Sequence, residues 1–406
     1  MKLPELLAPA GNMEKLRIAI HYGADAVYLG GKAFGLRNLA DNFTVDELAA
    51  AVTYAHERDV KVYLTVNSYP TNVDLPELSA FLEEAARIPF DAFIAADPGV
   101  IDLIRQMAPA MPIHLSTQAN TTNWRSVLFW QRQGITRINL AREMSLNDMR
   151  EVRKRTKIEL EAFVHGAMCI SYSGRCLLSS VMAGRSANKG ECAHPCRWGY
   201  SLLEETRPGA YFPVIEDKTG TFIFNSKDLC LLQYLPELVE SGINSLKIEG
   251  RMKGIHYIAS VVRVYREALD RYLEGPANYI CRTDWLDEVG KISHRGYTTG
   301  FLLGPPRDVD LEYHSRYRRS HDFVGIVECS EKDGALLIGV RNRLEKGDSL
   351  EFIGRSMRTD RYLLTEMNDE GGTPLEVAHP NSRIRLRVPF KTEELDLIRR
   401  EKRCND

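Results

Sequence analysis

The sequence predicts a (β/α)₈ barrel of the TIM type with a cysteine-rich insertion, followed by a small all-β domain with a barrel-like pattern. Three observations support this fold class. Short apolar runs alternate with helical patterns eight times, five of the eight cysteines fall in the gap between the last two runs, and the C-terminal part changes to short alternating strands. A length of 406 residues is enough for two or three domains, and eight βα units favour a closed barrel over an open doubly wound sheet.

The predicted barrel strands are short apolar runs of β-forming residues. They lie at 5–8, 26–29, 61–66, 92–95, 113–116, 137–140, 158–164 and 245–248. The intervening segments have helical periodicity, as at 13–22 and 44–57, and the second of these begins with the cap Thr44 and with Glu47 three residues later.

The domain boundaries follow from where these patterns stop. The stretch 166–236 interrupts the alternation and is predicted to be an insertion on a barrel domain spanning 1–312. An amphipathic helix at 257–273 follows the eighth strand. Short alternating runs between glycine-containing turns predict a β domain at 322–392, with 393–406 as a tail.

Composition limits the classes of protein that the chain represents. The formal net charge is -2, so binding to nucleic acid must come from local basic patches. The first residues lack the apolar core of a signal peptide and no stretch approaches 18 apolar residues, so we expect a cytoplasmic protein without a membrane partner. The sequence contains no GxSxG, HExxH or P-loop motif, and therefore no standard hydrolase motif.

The cysteine cluster is the strongest chemical signal. In a reducing compartment, clustered cysteines indicate metal or redox chemistry more than disulfides. The five cysteines of the insertion are Cys169, Cys176, Cys192, Cys196 and Cys230. Their irregular spacing is compatible with zinc or with a 4Fe-4S cluster, because both accept four thiolates, and a set of buried free cysteines is the alternative.

Polar residues follow the predicted strands, where a barrel of this type places its reacting groups. The candidates are Asn67, Gln118, Arg142, His165, Lys247, Glu249 and Arg251. Strand alternation directs Lys247 and Glu249 to the same side, where they either act on a bound group or form a structural ion pair. Arg142 and Arg251 suit an anionic substrate, or are simply solvated. A lone histidine such as His165 is also commonly structural.

Several motifs resemble those of a known family. Segment 161–179, EAFVHGAMCISYSGRCLLS, looks like the signature of the collagenase-like peptidase family, peptidase U-thirty-two. Further segments match in order: GECAHPCR at 190–197, NSKDLC at 225–230, KIEGR at 247–251, SHRGYTTGF at 293–301 and DFVG at 322–325. The resemblance covers nearly the whole chain.

The resemblance implies RNA modification more than proteolysis. Several members are similar to hydroxylation proteins with a 4Fe-4S cluster, and the length of this chain favours the branch that carries out prephenate-dependent 5-hydroxylation of the tRNA wobble uridine. The family's cluster ligands carry over to Cys169, Cys176, Cys192 and Cys230, with Cys196 as an alternative ligand. Hydroxylating an sp² carbon requires a redox cofactor, whereas peptide hydrolysis does not. The alternatives are hydroxylation of another RNA or of a quinone precursor, a collagenase-like peptidase, and a non-catalytic cluster-bearing factor.

Two predicted binding regions complete this interpretation. A small dicarboxylate such as prephenate would suit the cations Arg142, Lys247 and Arg251. The predicted catalytic groups are Lys247, Glu249, Arg251 and His165, and Arg142, Asn67 and Gln118 are predicted to bind the substrate. A splayed tRNA base would suit the basic, tyrosine-containing run before the β domain. The substrate-binding candidates in that run are Arg316, Arg318 and Arg319, and a solvated linker is the alternative.

Overall fold

The structure is a computed structural model that describes residues 3–35, 41–169, 171–197, 215–217, 220–222, 227–304, 318–330 and 334–403. The chain divides into two compact units. The first unit comprises residues 1–16, 24–253 and 294–317, and the second comprises residues 17–23, 254–293 and 318–406.

The strands of the first unit are, in chain order, β1 (Glu5–Pro9), β2 (Ala26–Leu29), β3 (Lys61–Val66), β4 (Ala92–Ala95), β5 (Ile113–Leu115), β6 (Arg137–Asn139), β7 (Glu159–Ala167), β8 (Ile215–Asp217), β9 (Gly220–Phe222), β10 (Asp228–Cys230), β11 (Ser245–Ile248) and β12 (Tyr297–Thr298). The helices of the chain are α1 (Met13–His21), α2 (Val45–His56), α3 (Leu75–Ala85), α4 (Pro98–Met107), α5 (Trp124–Arg132), α6 (Leu146–Arg155), α7 (Leu178–Ala183), α8 (Leu235–Glu240), α9 (Ile255–Glu274) and α10 (Thr283–Gly290). No described helix is both long enough and apolar enough to cross a membrane.

Eight parallel strands close into a barrel, as the sequence predicts. The order is β11-β1-β2-β3-β4-β5-β6-β7, and pairing of β7 with β11 closes the ring. Strands β2 and β4 are buried along their whole length, which is why they are continuous apolar runs instead of alternating ones. The predicted capping box at the start of α2 is present, because Thr44 accepts from the backbone N–H of Glu47 and the Glu47 carboxylate accepts from the backbone of Thr44.

The insertion adds strands to the barrel that periodicity did not predict. Strand β10 pairs antiparallel with the end of β7, placing Cys230 opposite His165, and β12 pairs with the far side of β10. The insertion therefore extends the wall of the barrel beside β7 and is held there by backbone hydrogen bonds.

The interior of the barrel contains buried charges. Arg137 lies 2.6 Å from Glu5 and 3.6 Å from Glu161, and Lys247 lies 2.7 Å from Glu161. Tyr63 donates to Glu5 at 2.7 Å. Two carboxylates and two cations thus balance each other, which offsets the cost of burying them.

The second unit contains the predicted all-β domain together with α9 and α10. Its strands are β13 (His321–Ser330), β14 (Leu336–Val340), β15 (Leu344–Glu345), β16 (Ser349–Ile353), β17 (Thr359–Leu363), β18 (Val377–Ala378), β19 (Arg383–Leu386) and β20 (Leu397–Glu401). Six of them form an antiparallel sheet in the order β17-β16-β20-β13-β14-β19. The prediction that residues 393–406 form a tail is wrong, because β20 lies inside this sheet between β16 and β13.

A buried ion network ties the helices of the second unit to its sheet. Arg399 is fully buried. It donates two hydrogen bonds of 2.7 Å to Glu288 and one hydrogen bond of 3.0 Å to Glu351. Arg263 lies 2.9 Å from the same Glu288. These contacts explain why α9 and α10 group with the β domain, whereas the sequence placed them within 1–312.

We expect Arg399→Leu to lower the free energy of unfolding of the second unit by about 3–5 kcal/mol, because it leaves two buried carboxylates with fewer partners. Chemical denaturation of the full chain measures this loss. Arg361→Ala is the matched control, since Arg361 also faces Glu351, at 3.4 Å, but is 79% exposed. Equal midpoints for the two variants would contradict a stabilising role for the network.

Candidate active site

A cavity of about 400 Å³ lies at the carboxyl ends of the barrel strands. Its lining combines strand ends from the barrel with residues of the cysteine-rich insertion. Among the predicted site residues, those that line it are Asn67, Gln118, Arg142, Cys169, Cys176, Cys192, Cys196, Lys247, Glu249 and Arg251. The structure therefore brings strand-end polar groups and four of the cysteines to one cavity.

One side of the cavity is a hydrogen-bonded polar patch. The Asn67 amide donates to Gln118 Oε1 at 2.9 Å, and the Ser116 hydroxyl donates to the same oxygen at 2.6 Å. Gln118 is buried, at 4% exposure. These bonds hold the predicted substrate-binding amides of Asn67 and Gln118 in fixed orientations at the cavity wall.

Other lining residues are cationic. The Arg142 guanidinium stacks on the Phe163 ring at 4.0 Å, and one of its nitrogens lies 3.8 Å from Glu249. The Lys247 ammonium lies 4.5 Å from the centre of the Tyr28 ring. Cation–π contacts of this kind hold a positive charge at an aromatic surface while leaving it able to bind an anion.

Lys247 and Glu249 line the same cavity, and the described ion pairs join each of them to a different residue. Lys247 bonds to Glu161 on β7, while Glu249 faces Arg142. The register of β11 against β7 shifts after Lys247, and β11 ends at Ile248, so Glu249 stands beyond the strand. The sequence missed Glu161 because its role depends on this register.

Arg251 is held at the barrel mouth with 2% exposure. Its guanidinium donates to the Thr65 hydroxyl at 2.8 Å and to Asn42 Oδ1 at 2.5 Å. A Cβ on Gly30 would lie 2.8 Å from one of its nitrogens, so glycine is required there for the arginine to fit. Arg251 therefore presents a positive charge to the cavity from a rigid position.

The cysteine-rich insertion forms the outer wall. Cys169, Cys176, Cys192 and Cys196 line the cavity, whereas Cys230 is not among its described lining residues. Among the described residues, no three His, Cys, Asp or Glu side chains form a group that would hold a single metal ion.

Two of these sulfurs accept backbone hydrogen bonds. The N–H of Leu178 donates to Cys176 Sγ at 3.3 Å, and the N–H of His194 donates to Cys192 Sγ at 3.4 Å. Hydrogen bonds of this type stabilise thiolates and are a feature of iron–sulfur ligation. Four sulfurs that line one cavity, two of them accepting backbone N–H groups, are donors of the chemical type that a 4Fe-4S cluster uses.

Hydrogen bonds to the barrel loops and within the insertion anchor the cysteine-bearing segment. Glu143 accepts from the backbone N–H and the hydroxyl of Ser173, both at 2.6 Å, and Ser173 has a positive φ of 45°. Arg175 donates to the carbonyl of Gln118 at 2.7 Å, and Asn188 accepts from the N–H of Cys176 at 3.2 Å. The positions of the thiols thus depend on the barrel itself. The sequence analysis did not identify Glu143 as an anchor.

His165 lies behind the cysteine wall and is not among the described residues that line the cavity. Its ring contacts Tyr297 with centroids 5.3 Å apart. Burial lowers the pKa of His165 to about 3, although nearby Asp228 partly opposes this. The imidazole is therefore neutral near pH 7, and its catalytic role stays a prediction.

The basic run before the β domain is only partly described. Arg316 lies outside the described residues, as do Tyr313 and Tyr317. Arg318 is exposed, and Arg319 lies 3.2 Å from Asp322. The run therefore presents cations at its described end, and one of them is paired with a carboxylate.

We expect the triple change Arg316→Ala, Arg318→Ala and Arg319→Ala to weaken tRNA binding and to flatten the salt dependence by roughly two units in the log-log slope, because each phosphate contact contributes about 0.7 to 0.9. Titrations of tRNA at several salt concentrations measure this. Arg58→Ala with Arg87→Ala serves as a control that removes cations elsewhere on the chain. An unchanged slope in the triple variant would identify the run as a linker.

Asn139 is among the lining residues that the sequence analysis did not identify. Asn139, the last residue of β6, faces the cavity with 3% exposure, and the sequence analysis had passed over it because its predicted strand extended to Leu140. An amide two residues after Arg137, and therefore on the same face of the strand, was the signal that could have identified it.

Comparison with known proteins agrees with this architecture. Residues 11–311 match the model of peptidase family U32, and residues 319–399 match the model of the peptidase family U32 C-terminal domain. The tRNA hydroxylation protein P1 of Bacillus subtilis strain 168 is 40% identical over 99% of this chain and 96% of its own length. The tRNA hydroxylation protein P of Escherichia coli strain K12 is 37% identical, covering 92% of this chain and 91% of its own.

A more distant relative modifies a different RNA. The 23S rRNA 5-hydroxycytidine C2501 synthase of Escherichia coli strain K12 is 32% identical over 86% of this chain. The match covers 52% of the length of that synthase. Both family models match in the order expected for a barrel followed by a β domain. The chain belongs to peptidase family U32.

Proposed function

We propose that this protein hydroxylates C5 of the wobble uridine of tRNA in a prephenate-dependent reaction that uses a 4Fe-4S cluster. The observation that carries the proposal is the composition of the barrel-mouth cavity, which is lined by four cysteines and by four cationic side chains. Those cations are Arg142, Lys247, Arg251 and Lys253. The relatives named as RNA hydroxylation proteins support this choice over proteolysis.

The cluster would be held by Cys169, Cys176 and Cys230, with the remaining thiolate from Cys192 or from Cys196. When bound, such a cluster supplies the electron transfer that the oxidation of an sp² carbon requires. The chain contributes the backbone N–H groups that bond to two of the sulfurs and the Glu143 contact that fixes the segment between the first two ligands.

The cationic side of the cavity suits a dicarboxylate. Arg142 and Arg251 each present a planar guanidinium, which grips a carboxylate by two parallel hydrogen bonds. Thr65 and Asn42 hold Arg251 in place before a ligand arrives, so its side chain would lose little conformational entropy when an anion binds. Glu249 is the one carboxylate among the described lining residues, so the cavity carries a net positive charge.

Expression in a bacterial host that lacks its own tRNA hydroxylation proteins tests the proposal. Nucleosides from the host tRNA should contain 5-hydroxyuridine or its derivatives when this protein is made, and should lose them when the host is also unable to make prephenate. Hydroxylated cytidine in ribosomal RNA, with unchanged tRNA, would instead assign the protein to another RNA. Modification that persists without prephenate would remove prephenate from the mechanism.

A further inference from the structure

We propose that Asn139 binds the imide edge of the uracil that is hydroxylated, and so holds the base in the cavity. This inference rests on the proposed function, because it assigns the base-binding group of the same site. It is carried by a polar side chain that faces the cavity and has no partner there.

The backbone explains why Asn139 faces inward. Asn139 and Arg137 are two residues apart on β6, so their side chains lie on the same face of the strand. Arg137 points into the barrel, where it contacts Glu5 and Glu161. Asn139 therefore also points inward, one layer closer to the carboxyl end of the strand, where it forms part of the cavity floor.

The Asn139 amide differs from the other polar groups around it. Its Oδ1 is buried and has no hydrogen-bond partner within the described chain. By contrast, Asn67 bonds to Gln118, and the Arg251 guanidinium bonds to Thr65. An unsatisfied buried polar group is costly, and such groups in native structures call for an explanation. A ligand that donates a hydrogen bond to Oδ1 supplies one.

The chemistry of an amide indicates which ligand fits. A carboxamide offers one acceptor and two N–H donors side by side, and the N3–H of uracil with an adjacent carbonyl offers the complementary pair. Binding through N3 and O2 leaves C5, on the opposite edge of the ring, free to react. Phe163 and Ile94 add apolar surface beside Asn139, and bases stack on such surfaces when they leave a helix or a loop.

The test compares two RNA stem-loops with the full-length protein. One carries uridine in the loop and the other carries N3-methyluridine at that position, which lacks the N3–H donor. Wild-type protein should bind the uridine loop about 5- to 150-fold more tightly. Asn139→Leu, which removes the amide at nearly constant volume, should abolish this preference by weakening binding of the uridine loop.

The matched control is Thr121→Val. The Thr121 hydroxyl is also fully buried and unpartnered within the described chain, but it is not among the residues that line the cavity. Thr121→Val should keep the preference for uridine. Both variants should melt at or above the wild-type temperature, because each removes an unsatisfied polar atom. A lower melting temperature for Asn139→Leu with an unchanged preference would make Asn139 structural and overturn the inference.

The outcomes separate this inference from the function on which it rests. If wild-type protein binds neither loop, both the proposed function and the role of Asn139 are overturned. If wild-type protein prefers the uridine loop and Asn139→Leu retains that preference, the function stands and the inference is wrong.

Discussion

Cys176→Ser is expected to abolish hydroxylation and to remove the iron from protein purified without oxygen, in which the wild type should carry about four irons per chain. The reason lies in the position of the thiol and in the chemistry of its replacement. Cys176 is a lining thiol whose sulfur accepts a backbone hydrogen bond at 3.3 Å, and serine offers a harder oxygen ligand in its place. Iron analysis and the visible absorption spectrum of the purified protein measure the loss.

Cys329→Ser is the matched control for this change. Cys329 is an exposed thiol in the second unit, outside the lining of the cavity, so its loss should leave iron and activity unchanged. Cys192→Ser and Cys196→Ser should differ, and the variant that loses iron as fully as Cys176→Ser identifies which of the two cysteines is a ligand. Wild-type protein that contains one zinc and no iron would contradict the assignment.

Lys247→Met is expected to eliminate activity and also to destabilise the barrel by about 3–5 kcal/mol. Both effects follow from its position, because Lys247 lines the cavity and at the same time pairs with buried Glu161 at 2.7 Å. Iron content in the folded fraction should not change, since Lys247 is assigned to the substrate. Denaturation curves, iron analysis and tRNA hydroxylation together separate the effects.

The double variant Lys247→Met, Glu161→Gln separates the two roles of the lysine. It also removes the charge of Glu161, the carboxylate that loses its lysine partner in the single variant, while Arg137 keeps Glu5 as a partner at 2.6 Å. Stability should therefore recover in large part while activity stays absent. Recovery of both stability and activity in the double variant would show that Lys247 is structural.

The barrel was predictable because its strands are buried on both faces. A parallel strand between two layers is a continuous apolar run, and the predicted bounds of β2, β3, β4 and β11 coincide with those observed. Strand β20 escaped prediction for the opposite reason. Its arginines, Arg399 and Arg400, pair with acids far away in sequence, so the local pattern is polar and resembles a tail.

The site was predictable at the level of strand ends but not of partners. The carboxyl ends of parallel strands meet, and this alone brings Asn67, Gln118 and Arg142 to one cavity. Which groups pair within it depends on register and on loops distant in sequence. Glu161 and Asn42 illustrate this, because neither shows its role as the partner of a cation until the chain is folded.

Analysis of tRNA nucleosides by mass spectrometry, in a strain that lacks this gene and in the same strain carrying the wild-type or the Cys176→Ser protein, tests the central claim most directly. We predict that a uridine heavier by one oxygen atom, or the nucleosides derived from it, disappears from tRNA in the deletion strain and returns with the wild-type protein but not with the variant. Unchanged tRNA nucleosides in the deletion strain would contradict the account.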